Sequence, residues 1–276
     1  MKIKNNQGQV RNGIKIFGFI FLVNNVLVIA SLLPSPDSVT LWIQAGAVLI
    51  ISWLCLRWEK NVLSSIGLCI NSNFVSEFLI GTIFGILLIL VSALTIKSFG
   101  GFDWVRNSQV SLGQLFYSSV PFIAISVTEE LIFRGYAFQR AIRGFGRILA
   151  LTLFGGLFIL MHWNNPGMTG STKFLASLGI GLASVLLGLA YIRTGSLALP
   201  IGIHLGWNWA QGSLLGFGVS GTKSRGYWEP IFNDFPSWFT GGEFGLEASL
   251  PGVLICLIAC FSIGFWRPDR NHEKMS

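Results

Sequence analysis

Residues 78–96 read FLIGTIFGILLILVSALTI, running from Phe78 to Ile96 without a single charge. As a helix rising 1.5 Å per residue, this stretch comes close to the ~30 Å hydrocarbon core of a bilayer. Seven more apolar runs flank it, at about 14–33, 41–56, 115–142, 148–163, 174–192, 197–214 and 249–266. Some are shorter than a full span, and no loop between them is large enough for a soluble domain. The pattern predicts an all-α, polytopic transmembrane bundle of about eight helices, with residues 1–276 as a single integral membrane domain.

Composition agrees. Only 11% of the 276 residues are charged and 52% are hydrophobic, whereas a soluble domain carries about 25% charge. So few charges cannot cover the surface of a soluble globule of this size. A cytosolic enzyme, a disordered tail and a secreted disulfide scaffold are excluded. The net charge of +7 forms no basic stripe on a polar face, so no nucleic-acid partner is expected. Cys55, Cys69, Cys256 and Cys260 lie in or at the end of apolar runs and read as free thiols packed as small hydrophobes.

Eight crossings with a cytoplasmic N-terminus divide the 19 basic residues into 14 inside and five outside. That bias follows the positive-inside rule and predicts that both termini are cytoplasmic. Lys2, Lys4, Arg11 and Lys15 precede the first run much as a signal peptide's basic region would. The run continues to Leu33 with no A-x-A site, so a retained anchor is expected. Trp42, Trp58, Trp163 and Trp266 sit near span ends, where interfacial anchors belong. Gly81–Gly85 and Gly202–Gly206 have the spacing that brings helices together closely. The loop at about 215–248 reads as an interfacial connector, with a lid as the alternative.

Charged and strongly polar residues inside spans cost roughly 2.5–3.5 kcal/mol each at the helix centre, so each needs a reason. Three clusters stand out. In Glu129-Glu130-xxx-Arg134, Glu130 and Arg134 share a helix face and can pair, while Glu129 points about 100° away. His162 closes the next apolar run. His204 and Asn208 are one turn apart on the seventh. If the fourth helix runs unbroken to Ile142 and turns at Arg143–Arg147, Glu129 lies about 20 Å above that turn and His162 about 21 Å. His204 and Asn208 lie about 12 Å and 18 Å above the turn at Thr194–Ser196. All four then reach a similar depth. Pro121, two turns before Glu129, predicts a kink that opens a cavity.

One desolvated carboxylate, two imidazoles and an amide suit hydrolysis by activated water. Glu129 and His162 would hold and deprotonate the water, and His204 and Asn208 would donate to the oxyanion. The same residue types also match a two-histidine, one-carboxylate zinc set, so a divalent metal such as zinc stays an alternative and no cofactor is assigned. No HExxH, nucleophile elbow, P-loop or Rossmann fingerprint is present.

The ordered set Glu129-Glu130-xxx-Arg134, Phe158-xxx-His162 and His204-xxx-Asn208 resembles the CAAX protease and bacteriocin-processing (CPBP, or Abi) family of intramembrane proteases. The resemblance covers about residues 115–214. It implies a membrane-embedded endopeptidase in which Glu129 activates water with His162. His204 and Asn208 stabilise the oxyanion, and Glu130 and Arg134 hold the site together. The family is described both as metalloproteases and as glutamate-dependent proteases. Its implied partners are membrane lipid and a membrane-associated peptide or prenylated protein substrate; no obligate protein partner is expected. A bacterial plasma membrane is the expected location. Two other readings use the same polar cluster: a non-catalytic scaffold or immunity-type binding protein, and a small proton-coupled carrier.

Overall fold

The computed structural model describes residues 10–266. Lys2, Lys4, Arg267, Arg270 and Lys274 of the charge count lie outside the described residues. The chain begins with α1 (Asn12–Ser31), α2 (Asp37–Trp58) and α3 (Ser72–Ser98), then a short strand β1 (Phe102–Arg106). The fourth apolar run forms α4 (Leu112–Tyr117), α5 (Ser119–Phe133) and α6 (Tyr136–Phe145). Next come α7 (Arg147–His162), α8 (Gly170–Thr194) and α9 (Ala198–Trp209), the last extended by a π-turn at Ala210–Leu214. Strand β2 (Trp228–Phe232), the single turn α10 (Ser237–Thr240) and α11 (Leu250–Phe265) complete it. The helical bundle is as expected, and the protein is an integral membrane protein.

Five of the described segments are long and apolar enough to cross a membrane: α1, α2, α3, the α4–α6 stretch and α8. Helices α7 and α11 are apolar but shorter. Outward-facing residues on them match a lipid environment, with Ile148 84% and Phe265 81% exposed. Water would not tolerate so continuous an apolar surface.

The fourth run departs from the expected continuous helix at two points. It breaks first at Ser118. Pro121 has no N–H to give the carbonyl of Tyr117, so α4 stops there and Pro121 falls in the first turn of α5, where proline is tolerated. It therefore starts a helix instead of kinking one. The second break is at Arg134-Gly135. Both backbone N–H groups bond to the carbonyl of Glu130, at 2.8 and 3.0 Å. A Cβ on Gly135 would lie 2.2 Å from the carbonyl oxygen of Leu131, so only glycine fits. Helix α6 then runs on to a turn at Gly146 with φ +85°.

Glycines set the closest packing. A Cβ on Gly85 would meet the Ile203 carbonyl oxygen at 2.2 Å, and one on Gly206 the Thr82 oxygen at 2.0 Å. Gly81 and Gly202 face the same seam. Partner numbers rise together, so α3 and α9 run parallel, backbone against backbone. Helix α8 runs antiparallel to α7, with Gly181 against Ile159 and Gly188 against Leu151. It runs parallel to α11, with Gly179 against Val253 and, further along both, Cys260 Sγ at 3.4 Å from the Leu182 carbonyl.

The loop between α9 and α11 is more than a connector, and it contains a strand. β2 pairs antiparallel with β1 in the register Phe102↔Phe232 to Arg106↔Trp228. Phe102 is buried beneath the pair, edge-on to Trp104 and Phe217. The remainder of the loop folds over the start of α5 and the ends of α7 and α9, with Gly212 against Phe122, Gly221 against Pro166, and Asn165 Nδ2 donating to the Ser220 carbonyl at 2.8 Å. All four cysteines are free, with Cys256 and Cys260 buried and Cys69 exposed.

Candidate active site

Glu130 and Arg134 lie on either side of the α5 end. Arg134 Nη1 donates to Glu130 Oε1 at 3.0 Å. Its Nη2 donates to the carbonyl of Ser184 at 2.8 Å and to Ser184 Oγ at 2.9 Å. The guanidinium stacks over Phe158, with its carbon 5.2 Å from the ring centroid. Arg134 and Glu130 are 1% and 0% exposed, so each charge depends on the other. Ser184 on α8 is a partner that the sequence did not single out.

His204 joins the same carboxylate. Its Nδ1 lies 2.8 Å from Glu130 Oε1. An ion-paired carboxylate only accepts, so Nδ1 carries a proton and the ring is oriented by Glu130. The other ring nitrogen, Nε2, faces Glu129 Oε2 at 3.7 Å. That separation is too long for a direct hydrogen bond. Glu129 Oε2 is buried and has no protein partner. Unlike Glu130, Glu129 has no arginine.

His162 presents a second oriented ring. Its Nδ1 lies 2.8 Å from the carbonyl oxygen of Phe158. A carbonyl accepts only, so Nδ1 is the donor and Nε2 is left for another partner. Phe158 packs against both imidazoles, with ring centroids 4.7 Å from His162 and 6.5 Å from His204.

Glu129, His162, His204 and Asn208 all line one cavity of about 320 Å³. One wall is apolar, built from Ile125 of α5, Leu186 and Leu187 of α8, and Ile203 and Trp207 of α9. The roof comes from the α9–α11 loop, through Val219, Ser220, Thr222 and Ser224. The loop thus covers the polar cluster, which is the alternative reading of that segment.

The roof hides a third carboxylate that the sequence reading missed. Glu247 lines the cavity. It accepts from the backbone N–H of Ser220 at 2.5 Å, from Ser220 Oγ at 2.9 Å, and from Gln211 Nε2. Gln211 in turn accepts from Trp207 Nε1 at 3.1 Å. Burial pushes the Glu247 carboxyl above the usual carboxylate range, although the bonds from Gln211 and Ser220 pull the other way. Ser220 sits at φ +48°, left-handed backbone that its bonds to Glu247 stabilise. A lone acid just before the last apolar run was the available signal.

Among the described residues, no group of three or more His, Cys, Asp or Glu side chains is placed to hold a metal ion. Glu129 and His204 face each other, but His162 does not complete a ligand set with them. The residues as arranged do not fit a zinc centre.

Residues 111–210 match the family of type II CAAX prenyl endopeptidases, Rce1-like. The match agrees with the resemblance to the CPBP family. It spans α4 through α9 and so includes Glu129, Glu130, Arg134, His162, His204 and Asn208. It supports a CAAX-type intramembrane protease at the level of the family. Helices α1–α3 and α11, strand β2 and Glu247 lie outside the matched stretch. No curated protein matches the chain.

Proposed function

We propose that the protein is an intramembrane endopeptidase that cleaves membrane-associated peptides, prenylated or apolar, with water activated by Glu129. One observation carries this reading: Glu129, a carboxylate with one oxygen buried and without a protein partner, lines a cavity that it shares with two imidazoles and an amide. Water bound between Glu129 and the Nε2 lone pair of His162 would give its proton to Glu129 as its oxygen attacks the scissile carbonyl. The oxyanion would accept from the Asn208 amide and from His204 Nε2. His204 donates there only with both ring nitrogens protonated, since Nδ1 is committed to Glu130. When the C–N bond breaks, Glu129 returns the proton to the leaving nitrogen. Glu130, Arg134 and Ser184 keep the His204 ring in place. The apolar wall is suited to a lipid chain or an apolar side chain of the substrate, and both termini of the protein would face the cytoplasm.

The test is cleavage of a peptide library by the full-length protein in detergent, with C-terminally prenylated and unmodified apolar members. Wild type should cleave, with and without a zinc chelator. Glu129→Gln should lose at least about 10²-fold in kcat, the low end of general-base contributions, while eluting and unfolding like wild type. Equal cleavage by Glu129→Gln would overturn the assignment. Chelator sensitivity would replace glutamate activation with a metal mechanism. A folded protein that cleaves nothing but retains particular peptides would favour the non-catalytic binding reading.

A further inference from the structure

A second cavity lies at the opposite end of the bundle from the roof, where the start of α1, the end of α2 and the end of α6 meet. It measures about 470 Å³ and is lined by Asn12, Lys15, Trp58, Glu59, Arg140 and Arg143 among others. At its centre is Glu59. Lys15 Nζ approaches Glu59 Oε1 at 3.1 Å, Arg140 Nη2 approaches Oε2 at 2.6 Å, and the Tyr136 hydroxyl donates to Oε1 at 2.5 Å. Although burial opposes ionisation, these donors hold the Glu59 carboxyl below the usual carboxylate range.

The charges do not balance. Lys15, Arg140 and Arg143 face the cavity against one carboxylate, whose oxygens are already taken. Arg140 is 2% exposed, and its Nε is buried without a hydrogen-bond partner. A buried guanidinium N–H left unpaired is costly, and an anion beside Arg140 would offset the uncompensated positive charge of the cluster. Asn12 and Asn61 add neutral donors to the lining. The site opens beside Trp58, which is 65% exposed at the end of α2, where an indole belongs at headgroup level. Basic pockets between helices at this level suit lipid phosphates.

We propose that the cavity between the ends of α1, α2 and α6 binds a phosphate group, with an anionic phospholipid headgroup as its occupant. Arg143 and Arg140 would contact the phosphate oxygens, and Lys15 would share its charge between Glu59 and the lipid. The acyl chains would lie along the exposed apolar faces of α1 and α2. This inference does not depend on the proposed proteolysis.

The experiment is native mass spectrometry of the full-length protein in detergent, titrated with phosphatidylglycerol or phosphatidylcholine. Three forms are compared: wild type, Arg143→Gln and Arg147→Gln. Arg143 is exposed and makes no ion pair among the described residues, so its loss leaves the Glu59 cluster in place. Arg147 is a neighbouring exposed cation that does not line the cavity. Wild type should retain phosphatidylglycerol over phosphatidylcholine. Arg143→Gln should weaken that preference about fivefold, the worth of one basic contact at a membrane surface, and Arg147→Gln should not. Millimolar inorganic phosphate that leaves the lipid bound assigns the site to the headgroup. Displacement would assign it to free phosphate and overturn the lipid as occupant. Equal retention of the two lipids, or equal losses in the two variants, would overturn the site.

Discussion

Arg134 ties three helices to one another through a single guanidinium. It reaches Glu130 on α5, Ser184 on α8 and the face of Phe158 on α7. Glu130 passes the constraint to His204 on α9. Replacing Arg134 with alanine leaves the Glu130 charge buried without its cation. Breaking such a pair from one side typically costs about 3–5 kcal/mol. Arg134→Ala should therefore fall in yield and unfold earlier on heating in detergent, as well as lose activity. A variant that matches wild type in both yield and unfolding would show that the pair does not support the fold. Glu129 is the contrast one residue away. It has no arginine and no structural bond to lose, so Glu129→Gln should leave unfolding unchanged. Two adjacent carboxylates thus separate into a structural one and one available for chemistry.

The seam between α3 and α9 depends on four glycines. Because α9 carries His204 and Asn208, that seam also fixes two of the site's four side chains. A methyl group at Gly206 would meet the Thr82 carbonyl oxygen at 2.0 Å, so the helices must separate. Gly206→Ala should cost about 1–3 kcal/mol, as overpacking usually does, and should also reduce turnover by shifting His204. Unchanged unfolding and turnover would mean that the seam is not tight. The roof offers a pH test. Glu247 holds its proton in the folded state over a window in which the unfolded chain has already lost it. The stability it contributes is complete below the usual carboxylate range and is lost as pH rises through its raised folded value. Amide exchange around Ser220 and Glu247 should quicken over that window, relative to Glu247→Gln at the same pH. Identical profiles would remove Glu247 as the cause. Much of this was legible beforehand. The small-xxx-small spacing located the seam, and the i, i+4 pairs found the polar cluster. The break at Arg134-Gly135 was hidden because apolar residues continue on both sides of it. The β1–β2 pairing was hidden because its strands lie more than 120 residues apart and are only five residues long, with one buried residue in β1 and none in β2. Glu247 looked like a loop acid because nothing local reveals that Gln211 and Ser220 surround it.

The whole molecule is a bundle whose two ends differ in chemistry. One end carries the roof, the β-pair and, beneath them, the candidate active site. The other carries the Glu59 cluster and the turns at Gly67 and Gly195, which touch: a Cβ on Gly67 would lie 2.4 Å from the Gly195 carbonyl oxygen. Packing directions place the start of α1 and the end of α11 at that second end. The basic residues also concentrate there, so by the positive-inside rule it should face the cytoplasm. Cys69 provides the check without altering the chain. It lies two residues after Gly67 at this end and is the exposed one of the four cysteines. A membrane-impermeant maleimide should label it in inside-out vesicles and spare it in intact cells. Ser108→Cys, in the exposed turn after β1, should label in the opposite pattern. Labelling of Cys69 from outside intact cells would invert the orientation. The roof over the candidate site would then lie on the cytoplasmic side, while the Glu59 cavity would meet the outer leaflet.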